Sequence, residues 1–245
     1  MSGQSPYKRV LLKISGESFG QSNESGIAPD ALTHVAKEIA NAASTGVQIA
    51  VVTGGGNIIR GADLAARLNI DQSTADYMGM LGTVMNGMAL KESLEQLGQP
   101  ARLMSAISLP ALAESFIRKR ALRHFEKGRV VILAAGTGNP FFTTDTCASL
   151  RATELNCDIL LKATQVDGIY TSDPKKNPDA TRYDRLSFSD AIEQQLGVMD
   201  LTAMSMCMEQ KLPVIVFNYH ETGNIRRVIE GEPIGTVVSN TGQDS

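Results

Sequence analysis

Tryptophan is absent from this sequence, and cysteine and histidine are scarce, with three of each among 245 residues. Cys147, Cys157 and Cys207 are odd in number and form no CxxC pair. That argues against a disulfide framework and for a reduced, cytoplasmic chain. His34, His124 and His220 stand far apart without ligand-like spacing, so structural or surface roles are expected for them rather than a metal centre. Long apolar runs are missing as well. Val130–Ala135 and Ile159–Leu161 fall far short of the roughly 20 residues of a membrane-spanning helix. Met1–Tyr7 is short and polar, without the apolar segment of a signal peptide. Nor is there an excess of positive charge: 23 Lys and Arg against 26 Asp and Glu leave a formal net charge of −3. That argues against a general nucleic-acid binder, which needs a basic field. It does not argue against a nucleotide site, which needs only a few well-placed cations.

What is present suits a soluble α/β protein. Hydrophobic residues make up 42% and charged residues 20%, and a chain of this length can bury a core as one large domain or two small lobes. Arg9–Ile14 reads as a buried strand stopped by Ser15-Gly16. Pro29-Asp30 opens an amphipathic helix through Ala43, with Leu32, Val35, Ile39 and Ala43 on one face. Val47–Val52 is a second strand, running into Gly54-Gly55-Gly56 and a further helical stretch. Asp71–Leu97 reads as one long helix in which Met78, Leu81, Met85 and Met88 alternate with Gly79, Gly82, Gly87 and Ala89. Such small residues fit close packing either inside the monomer or against a second subunit. Strands at Arg129–Leu133, Asp158–Lys162, Val214–Phe217 and Gly235–Val238 then alternate with helices near Asp145–Leu155, Ser187–Leu196, Asp200–Lys211 and Gly223–Ile229. Tyr170–Ala180 is loop or hairpin. The alternation predicts a mainly parallel sheet covered on both faces, whose ligands bind beyond the carboxyl ends of its strands.

Four segments at such strand ends carry candidate chemistry. Lys13-Ile14-Ser15-Gly16 puts a lysine at a strand end before a small turn, able to meet a phosphate or to be an edge lysine before an ordinary turn. Gly54-Gly55-Gly56-Asn57 with Arg60 lets backbone approach a ligand closely, with Arg60 as a candidate phosphate clamp, or is an ordinary glycine turn with a surface arginine. Neither common nucleotide fingerprint fits this segment. Ala62-Asp63 stand where a P-loop requires Lys-Ser/Thr, and Ile59 stands where the dinucleotide motif requires glycine. Ala135–Asp145 combines glycines, hydroxyls, an amide and the adjacent Phe141 and Phe142, as a site for a planar base and sugar phosphate would. Asp145 here can also be read as a helix cap. Lys162–Pro174 repeats the strand-end lysine, followed by a turn with Tyr170 and Asp173.

Taken in order, KISGE (Lys13–Glu17), GGGNIIRG (Gly54–Gly61), DYMGMLGTVMNG (Asp76–Gly87), GTGNPFFTTD (Gly136–Asp145), KATQVDGIYTSDP (Lys162–Pro174) and VMDLTA (Val198–Ala203) resemble the bacterial-type uridylate kinases of the amino-acid kinase superfamily. The likeness runs from about Tyr7 to Val238. It implies an α/β fold, a three-layer αβα sandwich with a mainly parallel central sheet. It implies one domain over 7–240, with flexible tails at 1–6 and 241–245. About 7–157 would be a UMP-binding lobe and about 158–240 an ATP-binding lobe. Carried over by position, Lys13, Ile14, Ser15, Gly16, Gly56, Arg60, Lys162, Thr164, Tyr170 and Asp173 would contact ATP. Gly55, Asp76, Thr137, Gly138, Asn139, Pro140, Phe141, Phe142, Thr143 and Thr144 would line the UMP site, with Asp76 on the ribose. Lys13, Arg60, Asp145 and Asp200 would surround the transferred phosphoryl group.

The implied reaction is ATP + UMP = ADP + UDP, in pyrimidine nucleotide synthesis, with Mg²⁺ carried mainly on the ATP phosphates. The implied assembly is a homohexamer built from dimers. Kinship also implies feedback inhibition by UTP. Glu17–Gly26 is less glycine-dense than the stretch some relatives use in responding to GTP, so activation by GTP does not carry over with the rest. The chemistry agrees with these roles: the acceptor is a phosphate oxygen already ionised at neutral pH, its second pKa being about 6. No general base is needed, and charge neutralisation is the main task. Sister kinases acting on an amino acid or carbamate commonly carry a lysine just after the Val198–Ala203 position, where Met204 stands here. A nucleotide-storage protein on the same fold would not need Lys13, Arg60, Asp145 and Asp200 together.

Overall fold

Runs rich in β-branched residues and leucine form the middle of the molecule. The computed structural model describes residues 5–21, 25–59, 69–174, 176–177 and 179–241. Among them the strands are β1 (Arg9–Ile14), β2 (Gln48–Thr53), β3 (Ala101–Ser105), β4 (Glu114–Ser115), β5 (Val130–Ala134), β6 (Ile159–Thr164), β7 (Arg185–Ser187), β8 (Val214–Asn218) and β9 (Thr236–Ser239). They make one nine-stranded sheet in the order β4-β3-β5-β2-β1-β6-β8-β9-β7. Every neighbouring pair is parallel except β8 with β9. The helices are α1 (Pro29–Ala43), α2 (Gln72–Gln96), α3 (Arg118–Glu126), α4 (Thr144–Glu154), α5 (Phe188–Glu193), α6 (Leu201–Glu209) and α7 (Asn224–Ile229), with a 3₁₀ turn at Gly16–Phe19.

The sheet separates two cores. On one face Val10, Leu12 and Ile14 of β1 pack with α1, α2 and α7 through Val35, Ile39, Val84, Leu90 and Ile225. On the other, Leu11 packs with α3 to α6 through Phe125, Cys147, Phe188 and Cys207. This is the expected three-layer sandwich. Alternation along the strands decides where the lysines go. Lys13 follows the parity of Leu11, and Lys162 that of Leu160, which packs in the same core as Leu11. Both therefore emerge on the α4 side, at the carboxyl ends of adjacent central strands.

The long helix α2 starts at Asp71, whose side chain accepts from the Ser73 N–H, and it has two distinct apolar faces. Its glycines serve the interior: a Cβ on Gly82 would lie 3.2 Å from the Gly55 carbonyl oxygen, and one on Gly87 only 2.7 Å from Leu103 Cδ1. Tyr77, Leu81, Met85 and Met88 face outward and are exposed. Close packing inside the monomer accounts for Gly82 and Gly87, while the larger residues form an outer stripe. The helical stretch expected after Gly56, together with Arg60, lies outside the described residues, as do residues 1–4 and 242–245 of the expected tails. Ser5 is tied down, its hydroxyl donating to the Ile229 carbonyl.

The contact between Gly55 and α2 sets the depth of the cleft described below. A Cβ on Gly55 would stand 2.6 Å from the Gly79 carbonyl oxygen and 3.0 Å from Thr83 N, both backbone atoms that cannot rotate away. Gly55→Ala should cost about 1–3 kcal/mol, seen as a lower urea midpoint at unchanged slope. Gly79→Ala, whose Cβ meets nothing within 4 Å, should be neutral or stabilising by up to about 1 kcal/mol through helix propensity.

Candidate active site

Lys13 and Lys162 are partners in the parallel register of β1 and β6, so two ammonium groups project side by side. Asp145, in the first turn of α4, sits between them. Its Oδ1 is 3.0 Å from Lys13 Nζ and its Oδ2 is 2.7 Å from Lys162 Nζ, with all three side chains 12–15% exposed. Lys162 also donates to the Val198 carbonyl. Burial works to raise the Asp145 pKa, but Lys13 and then Lys162 outweigh it and hold the carboxyl below its ordinary value. For Lys162 burial dominates and pushes the pKa down, with Asp145 opposing it. Two cations thus share one carboxylate, and a positive charge is left for an incoming anion.

Asp145 is not the cap of its helix, although its position allowed that reading. The cap is Thr143, whose hydroxyl accepts from the Thr146 N–H. Asp200 plays a different part from Asp145. It caps α6 by accepting from the Ala203 N–H at 3.0 Å, and it accepts from the hydroxyls of Thr143 and Thr146. It therefore ties α6 to α4, and it acts on Lys162 only through space.

Two glycine turns meet beside the lysines. A Cβ on Gly16 would fall 2.4 Å from Gly56 N, and one on Gly54 2.5 Å from Gly16 N, so these backbones touch only because side chains are missing. A reciprocal amide pair stiffens the junction. Asn57 donates to Asn86 Oδ1 at 3.0 Å, and Asn86 donates back at 2.7 Å. Asn57 also reaches the Gly26 carbonyl and Asn86 the Gly54 carbonyl. The Ile14 side chain is wholly buried, which leaves only its backbone for any ligand.

A cleft of about 290 Å³ opens next to this junction, near the lower end of the range usual for small-molecule sites. Of the residues expected to hold a monophosphate, Gly55, Asp76, Thr137, Asn139, Phe142, Thr143 and Thr144 line it, while Gly138, Pro140 and Phe141 do not. Asp76 is engaged on both oxygens, accepting from Phe141 N at 2.8 Å and Gln72 Nε2 at 2.7 Å. It anchors the aromatic loop as well as facing the cleft. The Thr137 hydroxyl is turned into its own loop, donating to the Asn139 carbonyl and accepting from the Asn139 N–H. Phe141, at 74% exposed, points away to solvent. Gln72, Met80 and Thr83 also line the cleft and were not anticipated. With Asp76 they occupy one face of α2, a helical spacing readable in the sequence once one member is known to face a ligand.

On the other side of the lysines, Thr164 ends β6 and donates to the Val166 carbonyl at 2.7 Å. The Tyr170 hydroxyl donates to Asp167 at 2.8 Å, and that bond raises its pKa. An isolated antiparallel bridge joins Tyr170 to Arg182, giving the expected hairpin-like excursion. Asp173 lies within it, 3.8 Å from Lys176 Nζ. Among the described residues, no group of three or more His, Cys, Asp or Glu side chains is arranged to hold a metal ion, and no helix is long and apolar enough to cross a membrane.

A parallel sheet, glycine turns in place of a P-loop and a lysine pair at the strand ends describe a phosphotransferase of the amino-acid kinase type. The chain belongs to the amino acid kinase family, whose model matches residues 8–218. Among solved structures it is similar to a UMP kinase from Bacillus anthracis, at 40% identity and a TM-score of 0.94 over 96% of this chain and 97% of that one. A UMP kinase from Ureaplasma parvum matches at 38% identity and 0.90, over 95% and 99%. A uridylate kinase from Archaeoglobus fulgidus matches at 30% and 0.71, over 94% and 99%.

The lysine–aspartate centre has a pH signature. The folded Asp145 carboxyl titrates below the ordinary aspartate value of about 3.9, so the unfolded chain binds more protons in that acid range. Its stabilisation is present above that value and is lost as pH falls through the folded pKa. Asp145→Asn should cost about 2–3 kcal/mol at pH 7 by leaving the two lysines uncompensated. In urea titrations the gap from wild type should close as pH drops below about 4. A gap independent of pH would show that the carboxylate charge is not what stabilises this site.

Proposed function

We propose that this chain transfers the γ-phosphoryl group of ATP to UMP, yielding ADP and UDP. The observation that carries this reading is the register-paired Lys13 and Lys162, held by Asp145 beside the cleft of Gly55, Asp76 and Phe142. Similarity over nearly the full chain to proteins described as UMP kinases supports the choice of acceptor. A UMP phosphate oxygen attacks the γ-phosphorus, the bond to the ADP oxygen breaks, and ADP leaves with that electron pair. No proton need move. Lys13 and Lys162, together with Arg60, neutralise the two phosphate groups as they converge and the charge of the loose transition state. Asp145 keeps the two ammonium groups in place and is not a base. Mg²⁺ would be carried by the ATP phosphates, where it would add positive charge to the transferred group. The donor set fits that arrangement, because Asp145 and Asp200 are already engaged by lysines, hydroxyls and a backbone N–H.

UMP is proposed to lie over the amino half, about residues 7–157, and ATP over the carboxyl half, about 158–240, with Thr164, Tyr170 and Asp173 along the adenosine. The product feeds UTP and CTP synthesis in the cytoplasm, with UTP as feedback inhibitor. The exposed Tyr77, Leu81, Met85 and Met88 of α2 suit the subunit contact of a homohexamer built from dimers.

A coupled ADP-release assay across UMP, CMP, AMP, glutamate analogues and carbamate tests the acceptor. Uracil presents an N3 donor and an O4 acceptor, and cytosine reverses both. Each mismatched buried group costs about 1–3 kcal/mol, so kcat/KM should favour UMP over CMP by roughly 100-fold or more. Equal use of CMP would show that the loop residues lining the cleft, Asn139, Phe142, Thr143 and Thr144, do not read the base edge, and use of carbamate without any monophosphate would replace the reading altogether. In the same assay Lys13→Ala should lower kcat strongly with a smaller change in KM, as expected for an interaction strengthened in the transition state. Near-normal turnover would take Lys13 off the reaction path.

A further inference from the structure

After β5 the chain passes into the aromatic loop through four positions of positive φ, Ala135, Gly136, Gly138 and Phe141, at 63°, 57°, 84° and 69°. Glycine adopts this conformation freely, but alanine resists it because its Cβ crowds the following carbonyl. Ala135 is also fully buried, so water does not relieve its backbone. Backbone strain of this kind persists where its surroundings hold it in place.

The holding group is Thr83, in the middle of α2. The Ala135 N–H donates to Thr83 Oγ1 at 2.7 Å. The hydroxyl proton goes to the Met80 carbonyl, also at 2.7 Å. That backward bond, three residues along the helix, fixes the threonine rotamer and leaves an oxygen lone pair aimed at Ala135. The Thr83 carbonyl in turn accepts from the Thr53 hydroxyl at 3.2 Å, at the end of β2 just before the glycine turn. Thr83 is buried, yet it lines the cleft. One residue thus joins the three segments that bound the acceptor cleft: the glycine turn, α2 and the aromatic loop.

We infer that Thr83 is a positioning residue for the acceptor. Its hydroxyl fixes the point and direction at which the loop leaves β5, and hence where Thr137, Asn139 and Phe142 stand relative to Gly55 and Asp76. This rests on the reading of the cleft as the UMP site. Thr83 need not touch the substrate, because the loop does. A misplaced wall weakens acceptor binding and leaves ATP, on the far side of the lysines, unaffected.

Thr83→Val keeps the shape and removes the hydroxyl, while Thr83→Ser keeps the hydroxyl and removes a methyl group. Turnover with UMP and ATP varied separately, and UMP binding by calorimetry, are measured on the full chain. Wild-type turnover of UMP is measured first, and its absence would overturn the function and this inference together. Given that turnover, Thr83→Val should raise the KM and Kd for UMP about tenfold with the KM for ATP unchanged. Thr83→Ser should stay within about twofold of wild type. Equal rises for both substrates, a serine variant as impaired as the valine one, or an unchanged valine variant would each overturn the inference. If urea unfolding shows that Thr83→Val does not fold, Thr83→Ala takes its place. Failure of both to fold would assign Thr83 to the fold and not to the site, which also overturns the inference.

Discussion

A single carboxylate between two lysines is the contact on which the site depends. Parallel pairing of β1 with β6 sets Lys13 beside Lys162. Two ammonium groups this close and this shielded from water repel each other unless something intervenes. Asp145 intervenes, and it does so from α4, packed against the sheet face from which both lysines emerge. The strand register, the docking of α4 and the charge balance are therefore one constraint. A slip of one residue in either strand would send its lysine into the core of α1, α2 and α7. Because the carboxylate compensates one cation and not both, the centre can exist without ligand and still attract a phosphate.

The surrounding structure keeps that centre narrow and rigid. The glycine turns at Gly16 and Gly54–Gly56 approach to backbone contact, and the Asn57–Asn86 amide pair locks them. Asp200 fastens α6 to α4 through Thr143 and Thr146. Asp76 and Thr83 fasten the aromatic loop to α2. Several polar side chains at the cleft are thus engaged with neighbouring protein groups, as a site working by preorganised charge requires.

Much of the fold was readable from pattern. Arg9–Ile14 is a β-branched and leucine-rich run, Pro29–Ala43 carries strong helical periodicity, and Asp71–Leu97 is a long stretch without proline; the elements observed there agree to within a residue at each end. The span that holds β3, β4 and α3 gave no comparable signal. β3 is a five-residue strand with Arg102 as its second residue. In α3, Arg118–Glu126, the buried Ala121, His124 and Phe125 recur at helical spacing, but over only nine, largely charged residues. β7 is three residues long and is held at the sheet edge by β9, a partner distant in sequence.

The candidate site divides in the same way. Local chemistry was legible: lysines at strand ends, glycines where backbones must touch, aromatics beside hydrogen-bonding groups. Those features follow from residue type and near neighbours, and they pointed to a phosphate- and base-binding site without a P-loop, while the kinase reading came from the resemblance of the six motifs taken in order. What each polar group does was decided only by contacts across the fold. Asp145 and Asp200 look alike in sequence, each near the start of a helix, yet one compensates two lysines and the other is a cap and a tie. Thr83 looks like any helix threonine until the end of β5 is brought against it. Hydrogen bonds and ion pairs are set by distances between segments far apart in the chain, which no local pattern encodes, whereas strand and helix periodicity is local and can be read directly.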